Sequence, residues 1–273
     1  MQLSARQIRD YHEQGCLSPI RVLSAEVAAD YRRRLESAEA ADGEVRQMLR
    51  HKPHLVFTFL DQLARHPAVL DAVEGVIGPN ILCWASSFFT KEPHTTDYVS
   101  WHQDLTYWGL EPADIVTAWI ALSPSMPESG CMRVVLGTHT EEVAPHKDTF
   151  AEHNMLSRGQ EIAVEVDEDH AVDVVLQPGE MSLHHVKLVH GSNPNRSDDR
   201  RIGFAVRYLP THVRQVIGEK DSAMLVRGVD SYRHFEPETP PAADLDPAAI
   251  AQHKAVCERQ AQILFRGTDR GLR

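Results

Sequence analysis

The chain has 273 residues, with 28 Lys plus Arg against 39 Asp plus Glu and a formal net charge of −11. That balance excludes a general binder of nucleic-acid backbones, which needs clustered cations. At 42% hydrophobic and 25% charged residues the composition is that of an ordinary soluble globular protein, and no run of about 18 apolar residues suggests a membrane span. The first ten residues, Met1 to Asp10, lack the apolar core of a secretory signal. Cys16, Cys83, Cys131 and Cys257 are scattered without a Cys-x-x-Cys, which argues against a thiolate zinc site or a disulfide framework. The expectation is a cytoplasmic monomer or homodimer acting on a small molecule, with no nucleic-acid or membrane partner.

In chain order, the first third reads as helix. Ser4 can cap a helix through Tyr11 that ends at Gly15, Ser24 caps Ala25–Ala40, and an amphipathic stretch covers Phe59–Val76. From Ile81 the apolar period becomes two. Candidate strands are Ile81–Lys91, Val99–Gln103, Ile115–Leu122, Met132–Leu136, Ala171–Leu176, Glu180–His184, Val186–His190 and Arg201–Tyr208. About eight strands suit a double-sheet jelly roll. After a Pro-rich segment, Glu236–Pro241, helix returns over Pro247–Phe265. The pattern predicts a mainly β fold in one domain, 1–273: helical cover over 1–80, a jelly-roll core over 81–210, and a C-terminal helical tail over 211–273.

The chemistry concentrates in three elements: His102-Gln103-Asp104, His190-Gly191-Ser192, and Arg201 eleven positions after His190. Alternate strand residues share a face, so His102 and Asp104 can point at one ion as their strand ends. Two imidazoles and a carboxylate form the facial ligand set of non-haem Fe(II) oxygenases, which leaves three metal positions open. A second His-x-Asp, His146-Lys147-Asp148, follows Pro145 in a polar stretch and reads as a solvated loop. An antiparallel hairpin would set His190 beside Arg201 across the barrel mouth. Arg201, Gly203 and Ala205 share one face, with Ile202, Phe204, Val206 and Tyr208 on the other. That parity selects Arg201 over Arg200 as the guanidinium for a carboxylate co-substrate. His184 and His185 compete with His190 for the second imidazole. His184 reads better as a pocket residue, and His185 as a surface one. Lys91 points inward among small side chains, where an unpaired ammonium would be costly unless a carboxylate met it. Thr117 and Trp119 share a face and can wall the co-substrate pocket. Ala85, Ser87, Phe89, Tyr107, Trp108 and His184 form the expected substrate lining.

Together, Phe89-Thr90-Lys91, Trp101-His102-Gln103-Asp104, Thr117 to Leu122, Gly130 to Val135, Gly137-Thr138-His139, and His190-Gly191-Ser192 with Arg201 resemble the phytanoyl-CoA dioxygenase family, which includes ectoine hydroxylase. The resemblance runs from about Ile81 to Tyr208. It implies a double-stranded β-helix with Fe(II) on His102, Asp104 and His190. It also implies 2-oxoglutarate on Arg201 and Ser192, with Lys91 and Trp119 contributing, and O₂ as the oxidant. The implied reaction is hydroxylation with release of succinate and CO₂. Two other classes would use the same metal donors: a cupin-like metal-binding module without redox activity, and an isomerase. Neither would need Arg201 or an inward Lys91.

Overall fold

Ser4 opens α1 (Ala5–Gln14): its side chain accepts from the Gln7 amide while Gln7 reaches back to the Ser4 amide. Gly15, at a φ of 75°, ends the helix in the left-handed conformation that glycine adopts without strain. The turn feeds β1 (Cys16–Arg21), a strand in a region expected to be helical. Ser24 caps α2 (Ala25–Glu39), and α3 (Gly43–Met48) follows. The amphipathic stretch expected as one helix over Phe59–Val76 is two, α4 (Thr58–Ala64) and α5 (Pro67–Ile77). Pro67 has no amide hydrogen to continue a helix but suits the start of one. The structure, a computed structural model, describes residues 2–41 and 43–268.

From Ile81 the chain is built of strands: β2 (Ile81–Lys91), β3 (Val99–His102), β4 (Leu110–Glu111), β5 (Val116–Ala121), β6 (Met132–Val135), β7 (His146–Asp148) and β8 (Gln160–Ile162). They continue as β9 (Ala171–Val174), β10 (Glu180–His185), β11 (Val189–Ser192), β12 (Arg201–Pro210), β13 (Arg214–Gln215), β14 (Ser222–Arg227) and β15 (Glu236–Pro237). Helix α6 (Pro247–Leu264) follows. A major sheet with the order β1-β10-β5-β12-β2-β14-β15 and a minor sheet β3-β11-β6-β9 are the walls of a double-stranded β-helix. The major sheet recruits three strands from outside residues 81–210, β1, β14 and β15.

The alternation in β12 separates two environments. Ile202, Phe204, Val206 and Tyr208 are buried in one cluster with Leu60 and Leu63 of α4 and Val69 and Val73 of α5. Each such side chain contributes about 1.5–3 kcal/mol on full burial. The Tyr208 hydroxyl donates to the Ala64 carbonyl at 2.7 Å, tying α4 to the sheet. The opposite face of β12 looks between the sheets, and there the strand carries Arg201, Gly203, Ala205 and Arg207.

One pairing differs from expectation. The second ligand strand lies over Val189–Ser192, and it does not form a hairpin with β12. β11 pairs with β3 and β6 in the minor sheet, while β12 pairs with β2 and β5 in the major one. His190 and Arg201 therefore belong to opposite walls.

Candidate active site

The register that replaces the hairpin makes the site. β11 pairs antiparallel with β3 so that His190 lies directly opposite His102, and the two rings are 4.1 Å apart between centroids. Asp104 follows just past the end of β3, in a short helical turn, with its carboxylate 3.3 Å from His102 Nε2. Donor atoms of His102, Asp104 and His190 lie within 4.8 Å of one another, the one such group of three among the described residues. His102 Nδ1 donates to the Ser100 carbonyl and His190 Nδ1 to the Leu188 carbonyl, both at 2.9 Å. A carbonyl can only accept, so each ring is fixed in the tautomer that leaves its Nε2 lone pair free for a cation. Burial, and then the neighbouring His102, hold His190 well below the ordinary imidazole range. Burial would raise the Asp104 carboxyl, but the neighbouring His102 and His190 and the Arg207 charge outweigh it and hold it below the usual carboxylate range. Two neutral imidazoles and a carboxylate with converging lone pairs fit a divalent metal.

The same tautomer argument removes the second His-x-Asp. His146 and Asp148 are not a solvated loop but β7, paired with β8. His146 Nδ1 donates to the Ala144 carbonyl at 2.7 Å, and its Nε2 accepts the Gln103 amide at 3.0 Å. Asp148 accepts from the Tyr107 hydroxyl at 2.6 Å and from Arg158. These groups are committed to holding the segment that carries Gln103 and Asp104.

Arg201 and Lys91 are paired residues of β12 and β2, both buried. Neither makes an ion pair among the described residues. Arg201 donates to the Gly130 carbonyl at 2.5 Å and lies 5.3 Å over the Trp119 ring, while its buried Nε has no hydrogen-bond partner. Lys91 donates to the Ser192 hydroxyl at 2.6 Å and to the Ser192 and Asn193 carbonyls. Burial lowers Arg201 to about 10, and burial together with the Arg201 charge lowers Lys91 to about 6. A buried guanidinium and a buried amine, neither with an acidic partner, fit a ligand whose carboxylate charge would favour the protonated form of both. Gly203 shapes this end, because a Cβ there would fall inside the Trp119 indole. Arg200, by contrast, points away and pairs with Glu36, Glu39 and Glu92.

The residues expected to line the co-substrate and substrate pockets divide between two spaces. Trp119, His184, Ser192 and Arg201 line the inner cavity with the three metal donors. Ala85, Ser87, Tyr107 and Trp108 line an open cleft outside it, and Phe89 lines both. Thr117 lies on the inner cavity but in cross-strand register with Arg207, not Arg201. His184 is 5.0 Å from His190 between ring centroids, and burial takes it down to about 4. His185 is not a surface residue: it is partly buried, 5.2 Å from the His139 ring. The residue missed in the sequence is Arg207. It shares the parity of Arg201, Gly203 and Ala205, and that parity could have found it.

A jelly roll with two histidines and an aspartate converging between its sheets defines a cupin-like class with a metal-binding site. Comparison with known proteins agrees. The model of the phytanoyl-CoA dioxygenase (PhyH) family matches residues 11–203. A probable alpha-ketoglutarate-dependent hypophosphite dioxygenase of Stutzerimonas stutzeri is 30% identical over 186 residues, 66% of this chain and 64% of that protein. Peroxisomal phytanoyl-CoA dioxygenase of Homo sapiens is 31% identical over 146 residues, 52% of this chain and 43% of that protein. The chain thus spans about half to two thirds of the length of the curated relatives it matches. Among solved structures, the non-heme monooxygenase ThoJ superposes with a TM-score of 0.85 at 32% identity, covering 94% of this chain and 97% of that one. CytC3 with Fe(II) and alpha-ketoglutarate gives 0.63 at 25% identity, covering 85% and 92%. The chain belongs to the phytanoyl-CoA dioxygenase family, whose class is that of Fe(II)- and 2-oxoglutarate-dependent dioxygenases.

Proposed function

We propose that this chain hydroxylates a small, partly polar molecule at the expense of 2-oxoglutarate and O₂, releasing succinate and CO₂. One observation carries the reading: Arg201, buried and without an acidic partner, lines a cavity with the His102, Asp104 and His190 donors, and Lys91 lies beside it on the paired strand, bonded to the cavity residue Ser192. A metal-binding module without redox chemistry has no use for the cations, whereas a dicarboxylic co-substrate uses both.

In this reading His102, Asp104 and His190 hold Fe(II), and the carbonyls of Ser100 and Leu188 keep both imidazoles in the donating tautomer. Arg201 takes the distal carboxylate of 2-oxoglutarate in a two-pronged, charge-assisted pair, with the Ser192 hydroxyl and Lys91 beside it and Trp119 as a wall. Iron, when bound, supplies the dioxygen and one-electron chemistry that these side chains lack. Burial of the cavity keeps bulk water from the cations and strengthens every charge interaction made there. Ser87, Phe89, Tyr107, Trp108 and His184 face the primary substrate. Residues 1–273 act as one catalytic unit, since α4 and α5 pack on the sheet that carries Arg201. Four free cysteines suit a reducing compartment such as the cytoplasm.

The test is a panel of small polar metabolites, incubated with Fe(II), 2-oxoglutarate and O₂, and scored by succinate and product mass. The reading expects succinate release that depends on one compound class, with a product heavier by one oxygen. Turnover without 2-oxoglutarate consumption would overturn it.

A further inference from the structure

Cross-strand register lays the inner face of the major sheet out in rows. Arg201 with Lys91 forms one end. Ala205, Trp119, Ser182 and Ser87 form a middle row. Arg207, Thr117 and His184 form the other end, because Thr117 pairs with both Arg207 and His184. Six residue steps separate the two arginines, about 20 Å along β12.

Each side chain of the far row has a buried polar atom left without a partner. Arg207 Nε, Thr117 Oγ1 and His184 Nδ1 are all buried and make no hydrogen bond. Arg207 makes no ion pair among the described residues; it donates to the Ser87 hydroxyl and to the Ala205 carbonyl. Its guanidinium sits 5.6 Å from the Phe89 ring and 5.9 Å from the Trp108 ring. Arg207, Phe89 and Asp104 are the residues that line both the inner cavity and the open cleft. Arg207 therefore stands where a molecule entering from the cleft would meet the metal donors.

We propose that the Arg207–Thr117–His184 row is a specificity site for an oxyanion group, a carboxylate or a phosphorus oxyanion, on the primary substrate. The inference deepens the oxygenase reading and rests on it. A guanidinium with a free Nε–H and no ion pair, in register with an unpartnered hydroxyl, presents converging donors to such a group. The Phe89 and Trp108 rings exclude water from the pair, which strengthens it. One carboxylate of the co-substrate has Arg201 at the opposite end of the sheet and the other belongs at the metal donors, so the occupant of this row is sought with the co-substrate already bound.

The test uses the full chain with Fe(II) and saturating 2-oxoglutarate under anaerobic conditions, so that the Arg201 end is filled. Phenylacetate and phenylacetamide form one probe pair; methylphosphonate and its neutral dimethyl ester form the other. Calorimetry and tryptophan fluorescence report binding. The wild type should bind at least one acid about tenfold or more tightly than its neutral partner, and which acid wins distinguishes the two oxyanion sources. Arg207→Gln should erase that preference and Arg207→Lys should retain part of it, while 2-oxoglutarate affinity stays within about twofold. Thr117→Val should lower acid affinity by a few-fold. If neither acid is preferred by the wild type, or if Arg207→Gln keeps the preference, the inference is wrong. Absence of 2-oxoglutarate binding in the same titration would instead overturn the oxygenase reading.

Discussion

Replacing Arg201 with Gln should leave the ligand-free protein as stable as the wild type, or more stable, while removing its response to 2-oxoglutarate. The guanidinium is 2% exposed and unpaired by any acid among the described residues. Burial takes it from 12.5 to about 10. At about 1.4 kcal/mol per pKa unit, that difference of about 2.5 is roughly 3 kcal/mol against burying the charge. Gln keeps an N–H for the Gly130 carbonyl, so the substitution avoids the full 1–3 kcal/mol, or about that, of an orphaned acceptor. Most substitutions of buried side chains cost about 0.5–3 kcal/mol, so an unchanged or raised midpoint is diagnostic. Ligand at about 100 times its Kd stabilises a protein by about 2.7 kcal/mol, the shift expected of the metal-loaded wild type with 2-oxoglutarate. A shielded charge pair is worth roughly 2–5 kcal/mol, so the variant's Kd should rise about 30-fold or more. Thermal unfolding with and without 2-oxoglutarate, under anaerobic Fe(II), measures both effects. A variant that 2-oxoglutarate stabilises as much as the wild type would refute the reasoning.

Other outcomes follow from the same contacts. His102→Ala, Asp104→Ala and His190→Ala should each lose bound iron and succinate formation. His146→Ala should keep stoichiometric iron and only slow turnover, because it frees the Gln103 amide without removing a donor; equal iron loss at both His-x-Asp pairs, read by metal analysis, would reject the choice. Gly203→Ala should push Trp119 off the strand and raise the KM for 2-oxoglutarate more than it lowers kcat. Glu238 is buried 2.5 Å from Lys52. Burial raises its carboxyl, but the Lys52 charge, the nearby His54 and the hydrogen bond from Lys52 bring it from 4.5 down to about 2. A lowered carboxyl stabilises above its ordinary value and loses that contribution as pH falls through the lowered one. The melting temperature should therefore drop between about pH 4.5 and 2. Glu238→Gln should start lower and fall less steeply.

Local pattern carried the inner and outer faces of the strands. Parity separated Arg201 from Arg200, and the structure gives the physical reason: Arg200 is held by Glu39 and Glu92 on the far side. Parity also put His102 and Asp104 at one place, although Asp104 lies in the turn just past β3. It said nothing of which strand lies beside β11, because pairing between segments about 90 residues apart is set by the packing of both sheets. Chain neighbours were assumed to be sheet neighbours, and the hairpin error followed. β1 was missed because Cys16-Leu17-Ser18-Pro19 does not alternate and is completed by its pairing with β10. The break at Pro67 was readable, since proline cannot continue a helix. Arg207 was readable too, one same-face step beyond Ala205. The role of His146 was not: its Nε2 serves Gln103, a contact across 43 residues that no local signal encodes.

The most direct test is an anaerobic titration of the metal-free protein with Fe(II) and then 2-oxoglutarate, followed by visible absorption. A weak band should appear with the second addition, saturate at one equivalent of each, and be absent from His190→Ala. No band in the wild type, or an undiminished one in that variant, would contradict a co-substrate chelated to iron held by His102, Asp104 and His190.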